Sequence, residues 1–281
     1  MTPLLLTSLG VLIALKAGQF NIGGEGQIYL GALGSTIVGL YVQVPAFIHI
    51  PLGLFVGFLF GAIWGLIPGY LKAIKGVNEV ITTLLLNYIA VNLISYLVQN
   101  PLKAENAPSP YSELIAKSAQ LPILPGGLAN TGIILALVAA VILWILLQRT
   151  PLGYQITAVG FNPIASSYAG ISVKTTIMLV MILAGGLAGL AGSCEVMGLK
   201  YRLFEEVSPG YGMNAIAIAF LSRGNVFGVV LASLFFAALR SGANVMQRSA
   251  GVPVTVVFAI QGLTVLFIAI GLALETKQGN G

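Results

Sequence analysis

Apolar residues occur along this chain in long blocks separated by short polar stretches. Blocks of about 17–25 residues are long enough for a helix to cross a bilayer. Eight blocks meet this condition, at residues 2–17, 28–44, 51–71, 80–98, 131–148, 175–193, 227–246 and 254–274. A ninth piece, at 213–221, is too short to cross when straight and follows the turn-forming stretch PGYG at 209–212, so we expect a broken or re-entrant helix there. The pattern predicts an all-α, polytopic transmembrane bundle of about eight to nine spans.

Composition supports this class of protein. Hydrophobic residues make up 57% of the chain and charged residues 7%, whereas a soluble domain carries roughly 25% charged residues. We therefore expect residues 1–281 to form one transmembrane domain. The first block lacks the basic region and cleavage site of a secretory signal, so it is expected to be a retained span. A single cysteine, Cys194, excludes an internal disulfide and a cysteine metal cluster.

The net charge of +5 comes from cations that flank the apolar blocks, which is typical of topology determinants and not of nucleic-acid binding. Five of them follow or precede spans in short loops: Lys72, Lys75, Arg149, Lys174 and Lys277. If these lie in the cytoplasm, Met1 lies outside, as do the connections at 100–130 and 195–212. Four other cations fit this orientation less well: Lys200, Arg202, Arg240 and Arg248.

The most polar interruption lies between the first two blocks. The sequence FNIGGEGQ, at residues 20–27, combines three glycines with Asn21, Glu25 and Gln27. A lone amide or carboxylate in hydrocarbon costs several kcal/mol, and unwound backbone at membrane depth occurs only where it is buried in protein or lines a watery cavity. We expect the glycines to keep this stretch unwound and the stretch, including Phe20, to line a permeation path.

A ridge of glycines runs along the third block at every fourth residue. Its members are Gly53, Gly57, Gly61, Gly65 and Gly69. Such a ridge lets a neighbouring helix approach closely where lipid provides no hydrophobic drive for association. We interpret the ridge as a helix-packing surface; the alternative is a glycine-lined pore wall.

The fourth block carries a polar stripe. Glu79, Thr83 and Asn87 are spaced i, i+4, i+8 and share a helix face, with Tyr88 beside them. One interpretation is hydrogen bonding between helices, with Glu79 reaching water near the interface. The other is a solvated wall of a translocation path.

Residues 149–174 form the longest segment that the charge pattern places in the cytoplasm. Asn162 before Pro163 is typical of a helix start, and Gly170 of a helix stop, which predicts a short helix at 163–168. A small helix on a loop is suited to docking in a groove of another protein. The alternative is a plain connecting loop.

Five stretches together resemble one family. They are FNIGGEGQIYLGAL at 20–33, NEVITTLLLNYIA at 78–90, AVGFNPIASSYAGI at 158–171, SPGYGMNAIAIAFLSR at 208–223 and ALRSGANVMQ at 238–247. In this order they resemble the permease subunits of bacterial ABC importers of the branched-chain amino acid and simple sugar superfamily. The similarity is greatest to nucleoside uptake permeases that work with basic-membrane-protein-type binding lipoproteins. Members usually begin with additional residues, including another span, before the equivalent of Met1.

The resemblance implies partners and roles. Residues 158–171 match the cytoplasmic coupling segment that docks on an ABC ATPase, with four matching positions: Gly160, Asn162, Ala165 and Gly170. The motif that lines the path matches at Phe20, Asn21, Glu25 and Gln27, and Asn87 is a further contributor. The implied partners are the ATPase, which binds ATP and magnesium, a second permease that is a distinct paralogue, and an extracytoplasmic lipoprotein. The implied location is the bacterial cytoplasmic membrane.

The chain contains no GxxxxGK[ST] phosphate loop, so we expect energy to arrive from a partner and this chain to need no cofactor of its own. Nucleosides are neutral, polar and planar, so amide groups and the Tyr88 ring suit them as cargo. Simple sugars are an alternative. An ion-coupled secondary transporter would also use broken helices, but the chain contains no Asp. An enzyme would need a nucleophile and base or a metal site, and is disfavoured because the only histidine, His49, is expected near an outer interface beside Pro51. A channel would be expected to carry a selectivity filter, which no stretch resembles.

Overall fold

The computed structural model describes residues 1–105, 108–127 and 129–250, with five further positions at 255, 256, 259, 262 and 263. Within these ranges the chain is helical, and its extended pairing is limited to isolated bridges. The α-helices are α1 (Thr2–Lys16), α2 (Gly24–Tyr41), α3 (Ala46–Lys75), α4 (Glu79–Gln99), α5 (Gly132–Arg149), α6 (Pro151–Phe161), α7 (Pro163–Tyr168), α8 (Val173–Glu195), α9 (Tyr211–Leu221) and α10 (Val226–Ala250). A π-helical turn, Val196–Lys200, continues α8.

Five of the described helices are long and apolar enough to cross a bilayer. They are α3, α4, α5, α8 with its π-helical turn, and α10. The all-α class is therefore confirmed. Helices α1 and α9 are apolar but shorter, and α9 is the short helix expected after the PGYG stretch. The span predicted at 254–274 lies outside the described residues apart from the five isolated positions.

Two differences from the sequence prediction concern the candidate site. Helix α2 begins at Gly24, so Glu25, Gly26 and Gln27 lie in its first turn and the chain is unwound only at 17–23. The first N–H groups of a helix need acceptors from outside it, and the side chain of Asn87 accepts the N–H of Gly26. The segment 151–161, expected to be loop, is helix α6.

The core is built around α8, which packs against α3 through small residues. A methyl group on Gly61 would lie 2.7 Å from the Cα of Gly189, and one on Gly65 would lie 3.1 Å from the Cα of Gly185. On Gly57 it would meet the Ser193 hydroxyl. The two backbones therefore touch along the ridge, as close packing through small residues allows.

The ends of the same ridge meet side chains. A methyl group on Gly53 would lie 2.9 Å from the Cε of Met197, and one on Gly69 would lie 2.8 Å from the Cβ of Met181. All five glycines of the ridge are buried. The structure thus has the ridge at a helix–helix contact and not on an open cavity.

The bundle has two chemically different ends. Helices α6 and α7 lie at the end that also carries Lys72, Lys75, Arg149 and Lys174, here called the basic end. At the opposite end, here called the loop end, the connections 100–131 and 196–210 pair with each other. The N–H of Ser112 donates to the carbonyl of Leu203 at 2.9 Å, and that of Ile115 to the carbonyl of Tyr201 at 3.0 Å. The two connections form one layer over this end of the bundle.

Candidate functional site

The unwound segment 17–23 runs back along α1 into the bundle. It begins at the basic end, where Gly18 (φ +69°) lies beside Gly160, and it ends at Gly24, beside the methyl group of Thr7. Thr7 is nine residues before Lys16 on α1, a rise of about 14 Å. The segment therefore crosses about half of a hydrocarbon core of roughly 30 Å.

The side chains of Asn21 and Gln27 bind each other inside the bundle. The Asn21 Nδ2 donates to the Gln27 Oε1 at 3.0 Å, and the Gln27 Nε2 donates to the Asn21 Oδ1 at 3.3 Å. The Asn21 Oδ1 also accepts the N–H of Gly23 at 2.9 Å. Both side chains are buried. In this conformation they fix the segment onto the first turn of α2 and do not project into open space.

The side-chain amide of Asn87 on α4 binds backbone groups of the same region. Its Oδ1 accepts the N–H of Gly26 at 2.8 Å, and its Nδ2 donates to the carbonyl of Ile22 at 2.9 Å. Thr83 is fully buried one turn earlier, and a methyl group on Gly23 would lie 3.1 Å from its Cβ. The polar stripe of α4 is therefore packed directly against the unwound segment.

Glu79, at the start of α4, joins three elements. Its Oε2 is 2.8 Å from the Nζ of Lys72 at the end of α3, and its Oε1 accepts a long 3.5 Å hydrogen bond from the N–H of Phe20. The Glu79 side chain is 10% exposed, so it is paired within the protein and does not extend freely into water. We define the Lys72–Glu79 pair as the inner latch.

Glu25 joins α2 to α9. Its Oε2 accepts the N–H of Gly212 at 2.7 Å, in the first turn of α9. A carboxylate is favourable at a helix N-terminus. Any side chain at Gly212 would collide with the Glu25 backbone. Gly212 was not among the site residues predicted from the sequence, although the glycines of the PGYG stretch were a signal for it.

Arg240 on α10 is a second residue that the sequence analysis did not identify as part of the site. Its guanidinium carbon lies 4.7 Å from the centre of the Tyr211 ring, and its Nη2 donates to the carbonyl of Pro209 at 3.4 Å. It thus anchors the start of α9 from the other side. The match of residues 238–247 to the family pattern was the sequence signal that could have pointed to Arg240.

Two of the predicted path residues are exposed. Tyr88 is 63% exposed and Phe20 is 45% exposed, and the Phe20 ring packs on Phe220 of α9 with centres 6.0 Å apart. Helix α4, the unwound segment and α9 form a continuous surface, here called the segment face. Unwound backbone is not tolerated against lipid, so protein or water must cover this face.

The predicted coupling helix has the predicted bounds. The Oδ1 of Asn162 accepts the N–H groups of Ile164 and Ala165, both at 3.0 Å, and α7 then ends before Gly170, whose φ is +82°. A side-chain acceptor at this position satisfies N–H groups that the helix itself cannot pair. Ala165 and Gly170 are both exposed.

Helix α6 connects α7 to the bundle. Thr150 caps it by accepting the N–H of Gly153 at 3.2 Å, and Pro151 occupies its first position, where proline is favoured. Near its other end, Gly160 lies against the carbonyl of Lys16 with no room for a side chain, and its backbone is 3.4 Å from a methyl group placed on Gly18. The coupling region therefore touches the base of the unwound segment.

Three large side chains around α7 extend away from the protein. Phe161, Ile164 and Tyr168 are 87%, 70% and 89% exposed. Large exposed apolar groups that cluster on one surface are typical of an interaction site. In the described residues this cluster is at the basic end.

The described residues contain no group of three or more His, Cys, Asp or Glu side chains that could hold a metal ion. His49 is buried, with its Nδ1 2.8 Å from the Ser118 Oγ and its Nε2 3.2 Å from the carbonyl of Val38. Cys194 is a buried free thiol. These two side chains contribute to packing at the loop end.

An apolar helical bundle with an unwound segment at membrane depth, joined to a helix displayed at one end, is the architecture of a membrane transport protein. Over residues 1–275 the chain matches the family described as "Branched-chain amino acid transport system / permease component", and it belongs to that family. It is thus a multi-pass protein of the cytoplasmic membrane and a transport component without its own ATPase site.

Curated relatives match over almost the whole chain. The guanosine ABC transporter permease protein NupP of Bacillus subtilis is 38% identical, over 99% of this chain and 81% of the relative. The nucleoside ABC transporter permease protein NupB of Lactococcus lactis is 36% identical, over 98% and 78%. The glucose ABC transporter permease protein TsgB13 of Haloferax volcanii is 39% identical, over 99% and 78%. No solved structure matches the chain.

Proposed function

We propose that this chain is the membrane-spanning permease subunit of an ABC importer that moves nucleosides into the cell by alternating access. In this proposal residues 1–281 are one transmembrane domain of eight to nine spans, with the basic end in the cytoplasm and the loop end outside. Two relatives with nucleoside or guanosine in their names support the cargo. The observation that carries the mechanism is the contact of Gly160 with Lys16 and Gly18.

The basic end is proposed to receive the ATPase. The exposed Phe161, Ile164 and Tyr168 side chains suit a groove on a soluble partner. ATP and magnesium would bind to that partner. Since no side chain separates Gly160 from the Lys16 carbonyl, a displacement of α7 and α6 would be passed by backbone contact to the start of the unwound segment.

The segment face is proposed to form the path together with a second permease, a distinct paralogue. Phe20 and Tyr88 would offer aromatic surfaces to the nucleobase, because bases stack on aromatic side chains. Asn21, Gln27 and Asn87 would hold the segment in register in this state, and their amides become available to cargo only when the segment moves. Glu25 and Glu79 would fix its two ends, with Thr83 packed between them.

The external partner is proposed to be a binding lipoprotein. It would deliver the nucleoside to the loop end, where the two connections pair with each other through backbone hydrogen bonds. The path must release the nucleoside and need not bind it tightly, since the lipoprotein would supply the affinity.

The coupling proposal is tested by Gly160→Trp in the assembled transporter. We expect loss of nucleoside uptake and of substrate-stimulated ATPase activity, while affinity for the lipoprotein is unchanged. Tyr154→Trp is the matched control, because it introduces the same side chain on α6 at a position that is already 69% exposed. Normal ATP-driven uptake by the Gly160→Trp transporter would refute the coupling route.

Sugar import is the second candidate, because the relative named for glucose is as similar as those named for nucleosides. Competition of guanosine and glucose for uptake by the same vesicles separates the two. Uptake that continues with an inactive ATPase but stops when the ion gradient is collapsed would instead support a secondary transporter.

A further inference from the structure

The polar stripe of α4 continues beyond the residues that bind the unwound segment. Ser95 and Gln99 lie in the same i, i+4 register as Glu79, Thr83 and Asn87, after an interruption at Val91. Glu79, Thr83 and Asn87 contact Lys72 and the unwound segment in the half of the bundle nearer the basic end. Ser95 and Gln99 lie at the loop end and have a different partner.

That partner is Glu205 in the connection 196–210. The Ser95 Oγ donates to the Glu205 Oε1 at 2.5 Å, and the Gln99 Nε2 donates to the same oxygen at 3.1 Å. The Gln99 Nε2 also lies 2.9 Å from the Ser95 Oγ. Hydrogen bonds to a carboxylate are stronger than those between neutral groups. The three side chains form a closed polar contact, here called the outer latch.

Helix α4 is attached to the rest of the protein by both polar and apolar side chains. Its buried residues are Glu79, Thr83, Asn87, Ala90, Ile94 and Val98, of which three are polar. Elements with few buried apolar contacts open at lower free energy than the packed core. Polar side chains, whose contacts can be exchanged, therefore occupy half of the buried positions of α4, whereas α3 and α8 interlock through backbone.

Glu205 lies in a connection that borders an open basin and leads into α9. It lines an open basin of about 750 Å³ at the loop end, together with Lys200, Phe204 and Glu206. The same connection leads into α9, whose first turn binds Glu25. A contact between Glu205 and α4 therefore ties α4 to the connection that leads into α9.

We propose that Ser95, Gln99 and Glu205 form the outer closure of the path, so that cargo passes from the basin only when this latch opens. The inner latch, Lys72–Glu79, stays closed in that state. Both contacts are formed in the present structure. This inference rests on the proposed transport function and assigns positioning residues within it.

The test is a reversible cross-link in the complete transporter. Ser95→Cys and Glu205→Cys are combined with Cys194→Ala, which removes the buried native thiol. The pair is joined by a bis-methanethiosulfonate reagent with a two-carbon spacer, and linkage is verified by mass spectrometry. We expect ATP-driven nucleoside uptake to fall about tenfold or more, because a closed outer gate prevents alternating access, and to recover on reduction.

The matched control links Glu105→Cys to Glu113→Cys, two exposed positions within one connection, where the Glu105 N–H lies 3.0 Å from the Glu113 Oε1. This link should leave uptake unchanged. If the Ser95–Glu205 link forms and uptake persists, the closure is overturned while the proposed function stands. If the transporter with its native Ser95 and Glu205 takes up no nucleoside, the proposed function fails and the closure fails with it.

A second measurement does not depend on thiol chemistry. Glu205→Gln keeps an oxygen that can accept a hydrogen bond from the Ser95 hydroxyl, so this variant should retain coupling. Glu205→Leu removes that oxygen. We expect only Glu205→Leu to release preloaded nucleoside from vesicles without ATP, and to raise ATPase activity in the absence of cargo. Equal leakage by both variants, or by neither, would overturn the proposal.

Discussion

Gly61→Ala is the most direct test of the contact that organises the bundle. The added carbon would lie 2.7 Å from the Cα and 2.9 Å from the backbone nitrogen of Gly189, and closer still to the carbonyl of Gly185. These are backbone atoms of α8, which cannot rotate away as a side chain can. Helices α3 and α8 must therefore separate to accept a single methyl group.

Two opposing terms set the expected magnitude. Replacing glycine by alanine inside a helix favours the helix by about 0.5–1 kcal/mol. Overpacking costs about 1–3 kcal/mol where neighbours can adjust, and more where they cannot. For Gly61→Ala we expect a net destabilisation of about 2 kcal/mol, from the upper end of that range. The sign of the effect is thus opposite to that of helix propensity.

Gly53→Ala is the matched control on the same ridge. Its added carbon would lie 2.9 Å from the Cε and 3.0 Å from the Sδ of Met197. These atoms are the end of a flexible side chain, which adapts at little cost. We expect Gly53→Ala to be nearly neutral or slightly stabilising.

The assay is thermal unfolding of the purified protein in detergent. The fraction of protein that stays monodisperse is measured as the temperature rises. A loss of about 2 kcal/mol corresponds to a midpoint lower by on the order of 5 °C for a protein of this size. If Gly61→Ala unfolds at or above the midpoint of Gly53→Ala, the backbone contact between α3 and α8 is not as the structure has it.

Two further predictions concern the candidate site. Asn162→Ala should lower substrate-stimulated ATPase activity, because loss of a helix cap costs about 1 kcal/mol and α7 has only six residues; Asn162→Asp keeps the acceptor and should retain activity, and equal activity of the two variants would contradict a capping role. Asn87→Leu should lower both the thermal midpoint and uptake, because it leaves two buried backbone groups without their partner at a cost of about 1–3 kcal/mol each. Asn92→Leu, at an exposed position of α4, is its control, and an unchanged midpoint for Asn87→Leu would exclude the anchoring role of the amide.

Local signals in the sequence were sufficient for several elements of the fold. The bounds of α7 followed from Asn162 and Gly170, since capping and helix termination depend on residues next to each other in the chain. The stripe on α4 followed from helical periodicity alone, and Glu79, Thr83 and Asn87 are all buried. Such features can be predicted without knowing which residues pack against the helix in the fold.

Contacts between distant residues account for what the sequence did not reveal. The start of α2 at Gly24 depends on Asn87, whose bond to Gly26 spans 61 residues. The role of Gly212 depends on Glu25, 187 residues away. The sequence identified Glu25 and Asn87 as candidates, but nothing in their neighbourhood indicates the partner. Helix α6 was missed because its buried side chains, Ile156 and Val159, gain a packing surface only in the folded bundle.

The structure also separates the chain into parts with different capacity to move. Helices α2, α3 and α8 meet through backbone at Gly31, Gly61 and Gly189, and a contact of this kind has one well-packed arrangement. Helix α4 and the start of α9 are held through side-chain amides and carboxylates, which can change partners at modest cost. The unwound segment lies between the two parts, touched by Gly160 at one end and by Asn87 at the other. A movement delivered at the basic end therefore has a mechanical route to α4, and the α2–α3–α8 block provides the fixed reference against which α4 can shift.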